Sequence, residues 1–478
     1  MSIDQIISAL MSYAETQLEL PKRDTMYALN SLLTLLDIES VELVSAQNTY
    51  ERPDALLEEL VTYALREGKI EEWEQEKFCD RVMGLLSLRP SEIQTRFEET
   101  YAKNAKCATD WFYGYCVKNY YVKRARLDKN PRFDVNGLTV TINKSKPEFR
   151  DPSKAKAGNS VKGGYPKCVI CRENEGYAPR EKCTLRTLSI KLGGEDFFWQ
   201  YSPYGYFNEH GIAVNCEHTP MYVDKTTFYK LMDFVDLFPH YFIGCNAPLP
   251  RIGGSVLAHD HFQGGGEMLP LHKAKIKKYL TMKGYEKGEM GILDWPGTVL
   301  RMVSDDRDAI AEMGEKIRLA WNDYTNPTQQ IIAKDENGVH NAISPTVVKK
   351  GGRYEMNIIL RSNITNEQYP DGIFHAHPEY HMIKKESIGL IEAQGLFILP
   401  GRLEAQLAEV EKCVEKGELA KDLQEFALVY DEVKKMQGDI HERMQRELGS
   451  ICQRILENTA VFTEAEFIEF LEGVGCYA

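Results

Sequence analysis

Histidine is unevenly spread along this chain, and its spacing is where chemistry first becomes legible. Of the 11 histidines, nine fall in two stretches: His210, His218, His240, His259, His261 and His272 in one, and His375, His377 and His381 in the other. In the segment Gly253-Gly-Ser-Val-Leu-Ala-His-Asp-His-Phe-Gln-Gly-Gly-Gly266, the residues His259, His261 and Gln263 alternate. On a strand, the period of two puts all three on one face, and the glycines that follow leave room for a ligand beside the backbone. A neutral imidazole is a competent nucleophile toward phosphorus at physiological pH, and a backbone carbonyl on its second nitrogen fixes the tautomer. One histidine can therefore be loaded covalently. An amide two residues on can hydrogen-bond a phosphoryl oxygen but cannot act as a general acid, which favours holding an intermediate over hydrolysing it. The bland alternative for a bare His-x-His is a satisfied polar strand face. Among 11 scattered cysteines, only Cys168-Val-Ile-Cys171 is spaced to act as a pair. Half of a metal site and two reduced core thiols are both open readings of it.

The elements that must position these groups change character twice. Residues 1 to about 130 place Ile3, Ile6, Ile7, Leu10 and Tyr13, then Leu29, Leu32, Leu33, Leu35 and Leu36, at helical spacing, and Ser91 opens a further helical segment. From about residue 134 alternation takes over: Leu138–Ile142, Leu188–Leu192, Phe197–Tyr201, Tyr241–Gly244, Tyr354–Leu360 and Leu396–Leu399 read as strands, with Gly163-Gly164 and Gly193-Gly194 as turns. Helices are expected at Thr226–Phe238 and Asp306–Asn322. After Pro400, Leu403, Leu407, Val410 and Val414 make one helical stripe, and Thr463-Glu-Ala-Glu466 is a capping-box candidate. An apolar strand ending at Asn246 reaches His259 after 13 residues, and another ending at Asn363 reaches His375 after 12. This echo points to duplication of a strand-turn-strand unit.

Composition sets the outer bounds. With 478 residues, 43% hydrophobic and 27% charged, the chain is globular and too long for one small core. The excess of 71 acidic over 58 basic residues, net −13, disfavours a nucleic-acid binder. No basic n-region with a continuous apolar run opens the sequence, and no later apolar run approaches the length of a membrane span, so a soluble, cytoplasmic protein is expected.

Set in its wider context, His259-Asp-His261-Phe-Gln263 resembles the His-x-His-x-Gln signature of the transferase branch of the histidine-triad superfamily, whose hydrolases carry a third histidine in place of Gln263. Thr141-Ile-Asn-Lys-Ser-Lys-Pro-Glu148, Glu173-Asn-Glu-Gly-Tyr177, Gln200-Tyr-Ser-Pro-Tyr204, Phe238-Pro-His-Tyr-Phe-Ile-Gly244, Gly253-Gly-Ser255, Tyr369-Pro-Asp-Gly-Ile-Phe-His375 and Ile388-Gly-Leu-Ile-Glu392 are similar to the class II UDP-glucose–hexose-1-phosphate uridylyltransferases of Gram-positive bacteria. The resemblance implies an α+β fold with a duplicated histidine-triad-like antiparallel-sheet core and helical N- and C-terminal flanks. The corresponding division is a helical region 1–133, a first half 134–300 with the catalytic strand, a second half 301–402 and a helical region 403–478.

The same resemblance implies an exchange of UMP between UDP-glucose and galactose 1-phosphate, giving glucose 1-phosphate and UDP-galactose, in galactose metabolism. Carried over by position, His261 is the nucleophile, Gln263 steadies the phosphoryl group and His259 supports it. Asn246 and Ser255 are candidates for phosphate hydrogen bonds, and Asn208, Glu209 and His210 lie where class I relatives read uridine. Cys168, Cys171, His218 and His259 make a Cys2His2 set similar to the structural zinc site of class I relatives. His375, His377 and His381 resemble the shell of a second metal there, yet no matching glutamate can be assigned. A second metal is therefore not expected, and His375 and His377 are taken as substrate contacts. Lys384-Lys385 could balance sugar-phosphate charge or simply be solvated. No organic cofactor, nucleic acid or membrane is expected as a partner, and a homodimer is. The competing readings are a related dinucleotide phosphorylase and a non-catalytic zinc-binding scaffold.

Overall fold

The computed structural model describes residues 1–45, 48–145, 164–254 and 256–477. Ser255, the tail 146–148 of one quoted motif and Gly163 of an expected turn lie outside the described residues.

Six helices of ten residues or more, from Ile3–Gln17 to Ala105–Lys118, form the N-terminal region, as the apolar spacing predicts. A hairpin follows, β1 (Arg132–Val135) and β2 (Leu138–Asn143). The central sheet then takes up β3 (Leu188–Leu192), β4 (Glu195–Tyr201), β5 (Gly211–Asn215), β6 (Phe242–Gly244) and β7 (His261–Gly265). It continues with β8 (Ile276–Met282), β9 (Glu289–Leu293) and β10 (Val299–Ser304). After a two-residue pair, β11 (Lys334–Asp335) and β12 (Gly338–Val339), come the long strands β13 (Asn341–Lys350) and β14 (Arg353–Ser362). β15 (Leu396–Pro400) pairs in parallel with β2, and β16 (Cys476–Tyr477) adds an edge beside β8.

The large sheet runs β16-β8-β9-β10-β14-β13-β6-β7-β5-β4-β3. Counted inward from β3 at one end and from β8, inside the added edge β16, at the other, each half follows the order first, second, third, fifth, fourth strand. In each half, a helix fills the crossover between the third and fourth strands: Lys225–Leu237 in one and Arg307–Asn322 in the other. The two fourth strands, β6 and β13, meet antiparallel at the centre with Gly244 opposite Thr346. The antiparallel core is thus a duplicated unit within an α+β fold. The repeat differs from the one the His-x-His spacing suggested. Asn246 follows a fourth strand and Asn363 a fifth, and His375 and His377 stand beyond β14 in a segment with no counterpart of β7. The two strand runs join between β7 and β8, whereas residue 300 lies inside β10.

Local chemistry accounts for these elements. Gly193 and Gly194, at φ +60° and +79°, close the β3–β4 hairpin in the left-handed conformation that a two-residue turn requires. Asp224 and Asp306 cap the two crossover helices through their carboxylates. Strand alternation then sorts the side chains. Phe197, Ala213, Ile243, Phe262, Val347 and Met356 pack against the crossover and N-terminal helices. Val299 and Ile359 face the other way, towards Leu271, Leu390, Phe397 and the C-terminal helices. Phe262 is 1% exposed and stacks on Phe197 with centroids 5.6 Å apart. Burying it is worth roughly 1.5–3 kcal/mol, and a one-residue slip of β7 would exchange it for His261. Core packing therefore decides the face on which His261 and Gln263 emerge.

Candidate active site and metal cluster

On that face, His261 lies opposite Val214 of β5, and Gln263 lies opposite Gly244 of β6. His261 is 5% exposed, and its Nδ1–H donates to the carbonyl of His259 at 2.8 Å. A carbonyl can only accept, so the proton sits on Nδ1 and the lone pair on Nε2. Burial holds the ring below the ordinary imidazole range, so it is neutral at physiological pH. Gln263 Oε1 accepts from His210 Nε2–H at 3.4 Å, which leaves the amide nitrogen as the end presented to a ligand. His210 is itself sandwiched by Tyr206 and Phe207, with centroids at 4.8 and 4.6 Å, and burial pushes it down to about 3.

The expectation that His259 shares the strand face of His261 and Gln263 is corrected. β7 begins at His261, and His259 occupies the bend before it. The reason is a separate set of partners: His259 Nε2–H donates to the carbonyl of Asn215 at 2.8 Å, turning Nδ1 to the cysteines. Nδ1 lies 3.2 Å from Cys168 Sγ and 3.7 Å from Cys171 Sγ, and the sulfurs are 3.4 Å apart. The His218 ring stands 4.4 Å from that of His259, centroid to centroid, with Nε2 buried and without a hydrogen-bond partner among the described residues. Ligand atoms of all four residues lie within 4.8 Å of one another. Four bonds of about 2.0–2.3 Å around a tetrahedral zinc give ligand separations near 3.5 Å, so the set fits such an ion. Without a cation, burial and the neighbouring Cys168 sulfur push the Cys171 thiol up to about 12. Asn174 donates to the carbonyls of Cys168 and Cys171 at 2.9 and 2.8 Å, and Arg180 to that of Cys168 at 3.0 Å, fixing the knuckle from behind.

The other singled-out residues are placed as follows. Glu209 accepts from the Tyr241 hydroxyl at 2.5 Å, and the Asn208 amide donates to Glu267 at 3.0 Å. A Cβ on Gly265 would meet the Glu209 carbonyl at 2.3 Å, and one on Gly264 the Phe242 carbonyl at 2.2 Å. These glycines therefore admit neighbouring backbone rather than a ligand. Asn246 is buried; its Oδ1 accepts from the Leu390 amide at 2.9 Å while Nδ2 has no partner among the described residues. His375 and His381 both turn a ring N–H to the carbonyl of Ala376, at 3.2 and 3.0 Å, and His377 donates to that of Ile373 at 3.0 Å. Lys384 is neither solvated nor free: it is 1% exposed and bound to Glu392 at 2.8 Å and Glu386 at 3.3 Å.

Sequence reasoning missed the row that runs from half-buried Gln263 across the sheet to buried polar side chains. Gln263, Gly244, Thr346, Asn357 and Arg301 lie opposite one another across successive strands. Arg361, four residues past Asn357, shares their face; it is 1% exposed, donates to the Ile388 carbonyl at 2.8 Å and keeps Nε and Nη1 buried without hydrogen-bond partners among the described residues. The signal available was a basic residue ending an apolar strand.

The sheet thus presents a neutral imidazole with an amide two residues on, an arrangement chemically able to accept and hold a phosphoryl-linked group. Family comparison narrows the class. Residues 20–220 match the N-terminal domain, and residues 234–434 the C-terminal domain, of galactose-1-phosphate uridyl transferase. The chain belongs to that family. A galactose-1-phosphate uridylyltransferase of Bifidobacterium longum is 47% identical over 98% of this chain and 97% of its own. Another from Clostridium acetobutylicum is 35% identical over 96% of each. A solved yeast Ap4A phosphorylase aligns with 59% of this chain and 82% of its own at TM-score 0.33 and 14% identity. Among the described residues, no helix is long and apolar enough to cross a membrane.

Proposed function

We propose that the chain exchanges UMP between UDP-glucose and galactose 1-phosphate. His261 Nε2 attacks the α-phosphorus of UDP-glucose; the N–P bond forms as the bond to glucose 1-phosphate breaks. Galactose 1-phosphate then attacks the same phosphorus; the N–P bond breaks, His261 Nε2 regains its lone pair and UDP-galactose leaves. The observation that carries this reading is the 2.8 Å bond from His261 Nδ1–H to the His259 carbonyl, which aims an unprotonated Nε2 outward from a desolvated site. Leaving and attacking groups are both phosphate monoesters, so no strong acid–base pair is required, and the chain has Gln263 rather than a third acid-competent histidine at that position.

The remaining roles follow from what each group has spare. The Gln263 amide nitrogen would hold a nonbridging oxygen, and the unpartnered Nδ2 of Asn246 supports a phosphate contact. Asn208, Glu209 and His210 form the turn beside the end of β7, where His210 also orients Gln263, and His375 and His377 flank the loop after β14. Cys168, Cys171, His218 and His259 would hold a structural zinc, which ties the bend before β7 to the knuckle. In this reading the protein is cytoplasmic and acts as a homodimer in galactose metabolism. Incubation with UDP-glucose labelled in the uridine tests the proposal. It requires acid-labile, base-stable label on histidine that His261→Ala abolishes and galactose 1-phosphate discharges. A scaffold acquires no label, and a dinucleotide phosphorylase fails to discharge it to galactose 1-phosphate.

A further inference from the structure

A second site of opposite character to the rest of this acidic chain lies where the N-terminal helices Thr25–Leu36 and Gln75–Leu86 meet the segment 175–186. A cleft of about 730 Å³ opens there, and none of His210, His259, His261 or Gln263 lines it. Three arginines do: Arg81, Arg89 and Arg186. Arg81 and Arg89 are exposed, and neither guanidinium pairs with a carboxylate among the described residues, the Glu92 carboxylate being taken by the Arg89 backbone amide at 2.8 Å.

Arg186 is the stronger sign. It is only 4% exposed, and its Nε and Nη1 are held by the carbonyls of Leu88, Cys183 and Leu185 at 2.6, 2.9 and 2.7 Å. These hydrogen-bond partners are neutral, and among the described residues no carboxylate lies within ion-pair distance of the guanidinium, although the charge of Glu175 in the same wall acts on it through space. Among the described residues the wall carries one carboxylate, Glu175, whose oxygens accept from the Thr187 amide and hydroxyl at 2.7 and 3.1 Å. Leu35 and Leu85 supply an apolar side that a bare inorganic anion would leave uncovered. The volume falls within the range of roughly 300–1,000 Å³ in which small organic ligands are bound.

We propose that this cleft binds a phosphate ester of mononucleotide or sugar-phosphate size, with its dianion among Arg81, Arg89 and Arg186 and its organic part against Leu35 and Leu85. Hydrogen–deuterium exchange of the full chain with adenosine 5′-monophosphate as the probe tests it, with uncharged adenosine as the control. Millimolar adenosine 5′-monophosphate is expected to protect backbone amides in residues 81–90 and 175–186, and adenosine is not. The double variant Arg81→Ala/Arg89→Ala removes two exposed groups and should bind the probe at least about tenfold more weakly, with its melting temperature and its uridylyl exchange unchanged. Absence of protection in those two segments, equal protection by adenosine, or unchanged affinity in the folded double variant would each overturn the proposal. So would protection confined to residues 208–215 and 259–266, since the probe would then occupy the histidine site alone.

Discussion

Replacing Gln263 with Ala removes an amide donor while His261 keeps its carbonyl partner. If that donor holds a phosphoryl oxygen in the transition state, uridylylation slows by roughly 10²- to 10³-fold, about 2.7–4 kcal/mol, the cost of one preorganised donor. The structure adds a smaller, coupled effect. His210 Nε2–H reaches Gln263 Oε1 at 3.4 Å, a long bond between neutral groups. Its contribution therefore falls in the lower part of the range of about 0.5–1.5 kcal/mol, some 2- to 5-fold in rate. His210→Phe preserves a ring between Tyr206 and Phe207 but donates nothing, so it should slow wild-type uridylylation by about that 2- to 5-fold factor. In the Gln263→Ala background the same change should have no effect, because the amide it orients is gone. Quenched-flow single turnovers with uridine-labelled UDP-glucose on all four proteins, with melting curves to confirm folding, give the complete cycle. Additive losses would refute the argument, since His210 would then act on some other group. A wild-type rate in Gln263→Ala would show that backbone groups hold the oxygens.

His261→Ala should lose both half-reactions while melting as wild type does, and near-normal exchange in this variant would remove the nucleophile. Because His261 is already neutral near pH 7, exchange should vary little between roughly pH 7 and 8.5, above the unperturbed imidazole value of about 6.5; a pH–rate profile rising steeply across that interval would contradict it. Burial holds His210 near 3 and His375 near 4 in the folded chain. Unfolded histidines take up protons near 6.5, so the unfolded state binds more protons below that pH. The stability these rings confer is complete above about 6.5 and falls as pH drops towards 4, by up to about 1.4 kcal/mol per pH unit for each ring. Urea unfolding at pH 7.5 and 5.0 measures it, and a stability unchanged between the two would refute the burial argument. If the Cys2His2 set holds zinc, a chelator should lower the melting temperature of wild type but not of Cys171→Ser, and His259→Ala should lose stability as well as rate. Equal melting with and without chelator in wild type would eliminate the ion.

Much of the site was legible because its signals are local. Period-two alternation marks strands, and helical spacing marks the flanks. Thr463 and Glu466 do form the capping box that opens the last helix, Glu464–Gly473. The chemistry of His261 and Gln263 follows from their types and their separation by two, and the pairing of Cys168 with Cys171 needs only the knuckle of chain between them. What the sequence could not decide depends on distant partners. His259 looked like a strand neighbour of His261, yet the Asn215 carbonyl and two cysteines some ninety residues upstream turn its ring to a different task. The echo between Asn246 and Asn363 suggested a duplication that does exist, but the register of that duplication is set by how β6 and β13 pair, which no interval along the chain reveals. Likewise, the buried, unbonded guanidinium nitrogens of Arg361 and the contact of His210 with Gln263 appear only when strands far apart in sequence are laid side by side. A residue's type determines what bonds it can make; the tertiary structure determines which partners remain for it once burial has excluded water.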